Sequence, residues 1–299
     1  MTCSITVVVV TYNSEDHVGA LLDSLPDAFG DRAYTTVVVD NGSQDGTVAL
    51  LLGRDDCTVV RSTNDGFAAG VNTGVRHQGG TGPILVLNPD VVLEPGAVPA
   101  MVGALEAPGT GIVAPLVLEA DGRLSPSLRR EPTLARATGL SFTRLARFSE
   151  RVDDVREYTR PHVVDWAMGA ILLLDRACYE AVGGFDESYF LYSEETDFCL
   201  TARDLGWYTV FEPSARAMHV GGGSGESDAT HAMQVVNRVR LYRRRNGDLK
   251  AWLYFALVLA REVRRAVVGR PSALAGARAL LRPALRPPEL ACGPGLLPR

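Results

Sequence analysis

The sequence has no CxxC pair, and its five cysteines are scattered at Cys3, Cys57, Cys178, Cys199 and Cys292. An odd, dispersed set argues against a disulfide framework and a structural zinc site, and fits a reducing compartment. No uninterrupted apolar run reaches the roughly 18 residues a bilayer span needs. The nearest, Ala251–Ala260, is cut by Arg261. The N-terminus lacks a basic n-region, and Ile5–Val10 is too short for a signal-peptide core. These absences predict a cytoplasmic protein, at most peripheral at the inner face of a membrane.

Apolar residues make up 46% of the 299-residue chain and charged residues 22%, so a sizeable core is available and disorder is not expected. The net charge of −5 is unevenly spread. Residues 1–232 hold 16 basic and 32 acidic side chains, while residues 233–299 hold 14 basic and 3 acidic ones. The basic end is read either as a solvated helix or as a surface for anionic membrane or a lipid phosphate. No nucleic-acid partner is expected.

Ile5–Val10 reads as a buried strand, followed by a helix over Glu15–Leu25 stopped by Pro26. Strands at Thr36–Val39, Thr58–Arg61 and Ile84–Leu87 alternate with helices from Asp45 to Leu52 and over Phe67–His77. This alternation predicts an α/β fold with a mostly parallel central sheet flanked by helices. Residues 118–162, rich in Arg and Ser, read as a long, partly mobile excursion. A strand-like stretch over Val163–Leu174, a helix over Glu194–Leu205 closed by Gly206, and a strand over Trp207–Phe211 before Pro213 follow. A basic helix covers about 232–268, and the last thirty residues read as poorly ordered. The boundaries are thus a catalytic domain over 1–231, with a nucleotide half (1–117) and an acceptor half (118–231), and a basic helical extension over 232–299.

In parallel sheets, ligands bind beyond the carboxyl ends of the strands. Three successive strands end in Thr11-Tyr12-Asn13, Asp40-Asn41-Gly42-Ser43 and Asn88-Pro89-Asp90. Turn chemistry alone explains any one of them, but three together favour a shared site. Asp90 suits a hard divalent cation offsetting a diphosphate's charge. His219, before the run Gly221-Gly222-Gly223-Ser224-Gly225, is either an ordinary polar residue or the completion of that metal site. Ser193-Glu194-Glu195-Thr196-Asp197 opens a helix, so its carboxylates either answer the helix dipole or supply a general base. Gly66, Gly70 and Gly74 recur every four residues, which implies close backbone approach to a neighbouring element or to a ligand.

The ordered set ITVVVVTYN (5–13), VVVDNGSQDGT (37–47), NDGFAAGVNTG (64–74), LVLNPDVVL (85–93), WAMGAILLLDR (166–176), VGGFDESYFLYSEETDFCL (182–200) and HVGGGS (219–224) resembles the family 2 glycosyltransferases of GT-A fold, and the NPD and HxGGGS forms resemble their rhamnosyltransferase-like branch. The resemblance implies an inverting, metal-dependent hexosyl or deoxyhexosyl transfer from a dTDP- or UDP-sugar, with Mg²⁺ or Mn²⁺. It implies that Thr11, Tyr12, Asn13, Asp40, Asn41, Gly42, Asn64, Gly66, Phe67, Asn72 and Asn88 form the donor site. Asp90 and His219 would hold the metal, and Glu195 would be the base, with Glu194 and Asp197 alongside. Trp166, Met168, Gly169, Phe185 and Asp186 would border the acceptor, which is a glycan, a lipid-linked intermediate or a small molecule. Asn88 stands where the commoner motif has a carboxylate, and Thr201 where many relatives have Arg. Rhamnose is the first-choice sugar, with galactofuranosyl, mannosyl and glucosyl donors, or a turnover-deficient scaffold, as alternatives. Oligomers remain open. A processive synthase is excluded by the missing QxxRW motif and membrane spans, and a nucleotidyltransferase by the absence of a basic, glycine-rich phosphate loop near Thr11.

Overall fold

The structure, a computed structural model, describes residues 4–219 and 227–290. Strand β1 (Ile5–Thr11) is buried along its whole length, as befits a parallel strand covered on both faces. Helix α1 (Glu15–Phe29), β2 (Tyr34–Asp40), α2 (Thr47–Leu52), β3 (Thr58–Arg61), α3 (Phe67–Gln78) and β4 (Ile84–Leu87) complete the alternating part. Then come β5 (Val91–Leu93), α4 (Ala97–Leu105), β6 (Thr110–Glu119), β7 (Leu128–Arg129), α5 (Leu134–Ala137), β8 (His162–Val164), β9 (Trp166–Ala167) and β10 (Ile171–Leu174). Helices α6 (Arg176–Val182) and α7 (Glu194–Asp204) and strand β11 (Tyr208–His219) lead to α8 (Asp228–Val267) and α9 (Pro271–Leu281).

The main sheet runs β3-β2-β1-β4-β10-β6-β11-β5, with β8 also on β11. The strands β3, β2, β1 and β4 are parallel. Beyond them β10 runs antiparallel to both neighbours, while β6 and β11 are again parallel. Each face carries its own apolar layer. One is built on Val7, Val9, Leu21, Leu85 and Met101, the other on Val8, Val71, Val86, Leu172 and Phe198. Gly70 and Gly74 let α3 press onto β1: a Cβ on either would come within 2.7 Å of the Val10 or Val8 side chain. Their spacing therefore reflects helix–sheet packing.

Four features depart from the sequence reading. Helix α1 runs through Pro26 to Phe29. Proline removes one backbone donor, but the extra turn buries Ala28 and Phe29, and Phe29 stacks on Tyr34 at 4.0 Å. Strand β11 continues past Pro213, which falls in a register shift between Glu212 and Arg216, the kind of bulge that tolerates proline. The 118–162 segment is pinned rather than loose: Tyr158 is buried, donates to Val152 O and accepts from Leu128 N.

The fourth departure is the C-terminal region. Helix α8 breaks at Gly247, where φ is 75°, and its two arms fold back on each other. Tyr242 stacks on Tyr254 at 3.9 Å, and buried His231 lies 2.7 Å from Glu262. Helix α9 packs on this hairpin through Ala273, Gly276 and Ala277, so ordered structure extends well into the last thirty residues. Among the described residues, no helix is long and apolar enough to cross a membrane.

Candidate active site

The register of β1 and β2 sets Thr11 beside Asp40. Thr11 Oγ1 donates to Asp40 Oδ1 at 3.1 Å. The same buried carboxylate accepts from the backbone N–H groups of Gly42 and Ser43 and from Ser43 Oγ. Asp40 thus takes its hydrogen bonds from Thr11 of β1 and from its own turn, which it anchors. Asn13 N donates to Ser43 Oγ at 2.8 Å, and Asn13 Oδ1 accepts from Gln44 N at 2.8 Å, locking the two strand ends together. Asn41 Nδ2 reaches Gly66 O at 3.1 Å. Tyr12 and Asn64 project outward, exposed.

Gly66 has φ 95°, and a Cβ there would fall 2.2 Å from Phe190 O. Its backbone abuts the 184–193 loop, where Phe67 N also donates to Phe190 O at 2.8 Å. Asn72 faces the same loop rather than an open pocket. Its Oδ1 accepts from Tyr179 Oη and Phe185 N, and its Nδ2 donates to Phe185 O and Glu187 Oε1, all within 3.0 Å. That use of every amide site corrects its assignment to the donor site. Phe185 is corrected likewise: it is 3% exposed and stacked on Phe198 at 4.5 Å, so it belongs to the core. Asp186 pairs with Arg244 of α8 and accepts from Ser188 N.

Asp90 and His219 meet. Strand β11 lies antiparallel to β5 with His219 opposite Val91, which brings the imidazole Nε2 to 3.1 Å from Asp90 Oδ2. Asp90 Oδ1 is buried and has no hydrogen-bond partner. Burial alone would raise the Asp90 carboxyl, but His219 outweighs it and holds the carboxyl below the usual range. The Asp90 hydrogen bond raises the imidazole in turn. Asn88 N donates to Ala170 O at 2.9 Å. The glycine run after His219 lies outside the described residues.

The segment that receives Asn88 also backs onto the acidic helix. A Cβ on Gly169 would come 3.2 Å from Glu195 Cβ. Tyr192 and Ser193 take positive φ before α7, a conformation that costs energy in non-glycine residues and often marks a functional turn. Glu194 and Glu195 each keep one buried oxygen without a hydrogen-bond partner. Burial, then the neighbouring Glu195, drives the Glu194 carboxyl well up. Burial also raises Glu195, but backbone donors and the charge of Arg129 oppose it. Asp197 is raised by burial, with Arg244 opposing.

Arg129 escaped the sequence reading. It stands on β7, which pairs with β9 so that Arg129 is opposite Trp166. Its guanidinium donates to Leu128 O and contacts Met168 Sδ at 3.1 Å, and burial lowers its pKa. Trp166 is buried with Nε1 bonded to Arg130 O. A small recess of about 50 Å³ opens beside Glu195, bordered by Trp166, Tyr192, Ser193 and Thr196.

The family model for glycosyl transferase family 2 matches residues 6–181. This chain belongs to that family. It is 32% identical over 251 residues to the N-acetylglucosaminyl-diphospho-decaprenol L-rhamnosyltransferase of Mycobacterium tuberculosis, covering 77% of this chain and 81% of that protein. It is 24% identical to the rhamnosyltransferase WbbL of Escherichia coli K12, over 71% of this chain and 82% of WbbL. Among solved structures, GalNAc-T7 with UDP, GalNAc and Mn²⁺ aligns at TM-score 0.62 and 14% identity, over 93% of this chain and 54% of that one. The mannosyltransferase PcManGT from Pyrobaculum calidifontis, with GDP-Man and Mn²⁺, aligns at TM-score 0.56 and 19% identity, over 97% and 83%. The fold of this glycosyltransferase is GT-A.

Proposed function

We propose that this glycosyltransferase moves rhamnose from a nucleotide diphosphate donor to a hydroxyl of a lipid-diphosphate-linked saccharide, with inversion at the anomeric carbon. The sugar and the acceptor class follow the activity of the mycobacterial relative. One observation supports the chemistry most. The Gly169-Ala170 segment touches Asn88 on one side and Glu195 on the other, so the turn that carries Asp90 and the carboxylate suited to a base share one short stretch of backbone.

The proton step belongs to Glu195. An acceptor hydroxyl gives its proton to the Glu195 carboxylate, its oxygen bonds to the anomeric carbon, and the bond to the diphosphate breaks with its electron pair leaving on the phosphate. Arg129 favours the ionised form of Glu195, while burial and the charge of Glu195 push the Glu194 carboxyl up. Tyr12, half exposed at the end of β1, offers a ring to the nucleotide base, on a floor that Thr11, Asn13, Asp40 and Asn41 hold rigid. Asp90 and His219 fit a divalent cation such as Mn²⁺, since one brings an unpartnered buried oxygen and the other an imidazole nitrogen. Such an ion, when bound, neutralises the leaving diphosphate.

A donor panel tests the reading. dTDP-rhamnose, UDP-galactofuranose, GDP-mannose and UDP-glucose are each offered with farnesyl-diphospho-N-acetylglucosamine, and release of nucleoside diphosphate is measured. Fastest acceptor-dependent release from dTDP-rhamnose is expected. Binding of donors without release from any of them would favour a scaffold.

A further inference from the structure

The basic extension encloses a cavity that the chemistry above leaves unused. It measures about 370 Å³ and lies between the 136–151 segment and the α8 hairpin. Six guanidiniums border it, from Arg136, Arg151, Arg238, Arg261, Arg264 and Arg265. Glu150 is the single carboxylate among its described lining residues. Glu150 holds Arg238, buried Glu262 holds Arg261 and lies 3.4 Å from Arg265, and Asp153 holds Arg151. Six cations thus answer to three carboxylates. Arg264 spends one nitrogen on Gly139 O, and Arg136 keeps a buried Nε with no hydrogen-bond partner. Burial and the charge of Arg238 both push the Arg261 guanidinium down, as expected where positive charge is crowded.

The cavity also adjoins the reaction. Glu150, Gln234 and Arg238 border both it and the recess that holds Glu195. Guanidinium forks suit phosphate oxygens, two bonds at a time, and a space of this volume is in the range of small-ligand sites. Membrane contact through the first arm of α8 is disfavoured by its partners. Arg238, Arg240, Arg244 and Arg245 are bound to Glu150, Ser188, Asp186 and Asp204.

We propose that this arginine-lined cavity is the acceptor's diphosphate subsite, seating the diphosphate ester so that the saccharide it carries extends into the recess at Glu195. This rests on the reading of Glu195 as the base that faces the acceptor. It assigns recognition of the acceptor's charge to the C-terminal extension, apart from the donor's diphosphate at Asp90.

Affinity decides the assignment without turnover. Equilibrium binding of farnesyl-diphospho-N-acetylglucosamine and of neutral octyl N-acetylglucosaminide is measured on the wild type, Arg264→Gln and Arg265→Gln. The wild type should bind the diphosphate probe at least about tenfold more tightly than the neutral one. Each variant should weaken the diphosphate probe by roughly five- to tenfold and leave the neutral probe and donor binding unchanged. Arg265, partly exposed and with one long contact, guards against a folding artefact. Equal wild-type affinity for both probes, or variants that bind the diphosphate probe normally, would overturn the assignment. So would variants that lose only binding to phosphatidylglycerol vesicles, since the cavity would then take membrane headgroups. The donor panel judges the glycosyl-transfer reading separately.

Discussion

Gly169 and Glu195 are in such close register that a single added methyl at 169 would lie 3.2 Å from the Glu195 Cβ and 3.5 Å from its Cγ. The glycine sets where the carboxylate stands. Gly169→Val should therefore displace Glu195 and lower kcat at least about tenfold, because small misplacements of a catalytic group are costly. Donor affinity, read by titration with dTDP, should stay within about twofold. A valine variant with normal kcat would show that the contact does not position the base.

Asn72 is an internal pin joining α3 to α6 and the 183–187 loop through four hydrogen bonds. Asn72→Ala leaves Tyr179 Oη and both backbone groups of Phe185 unsatisfied in a buried setting. A loss of about 2–4 kcal/mol is expected in urea unfolding. If Asn72 instead served the donor, dTDP affinity would fall while stability held.

The adjacent glutamates predict a signed pH effect. With its carboxyl raised, folded Glu194 binds a proton that the unfolded chain releases above the ordinary glutamate value. Between the ordinary and the raised value the folded state binds more protons, so stability falls as pH rises. Glu194→Gln does not titrate. Its stability relative to wild type should therefore climb across that window, by up to about 1.4 kcal/mol per pH unit. Unfolding midpoints from pH 4 to 8 check this, and parallel curves for the two proteins would refute the raised Glu194.

Asp90 supplies the buried, unpartnered oxygen next to His219. Asp90→Asn keeps the shape and removes the charge. Activation by Mn²⁺ should then require at least about tenfold more metal, in line with the loss of a ligand's charge at a cation site. EDTA should abolish wild-type turnover, with Mn²⁺ or Mg²⁺ restoring it. Full activity in EDTA would remove the metal from the account.

Much of this site was legible because its residues end strands whose burial is written in the sequence. The β-branched run of Ile5–Val10 locates Thr11, and Ile84–Leu87 locates Asn88 and Asp90. The helix start at Glu194 was visible for the same kind of reason, a local pattern of acids before an apolar turn. What escaped depends on contacts made far along the chain. Arg129 gains its place from pairing with Trp166, 37 positions on, and nothing local in an Arg/Ser-rich stretch marks it. Phe185 was expected at the border of the acceptor, and only its stacking on Phe198 shows it in the core. Asn72 fitted a nucleotide pocket until its four partners, up to 115 positions away, filled its amide. The α8 hairpin depends on one glycine, Gly247, and on Glu262 meeting His231, a pairing no periodicity announces.

The central claim is that Glu195 takes the acceptor proton. It is tested most directly by acceptor-dependent release of dTDP from dTDP-rhamnose, with farnesyl-diphospho-N-acetylglucosamine at saturation, for wild type and Glu195→Gln. The account predicts a kcat lower by at least about a hundredfold in the variant with dTDP affinity unchanged. Equal rates for the two proteins would contradict it.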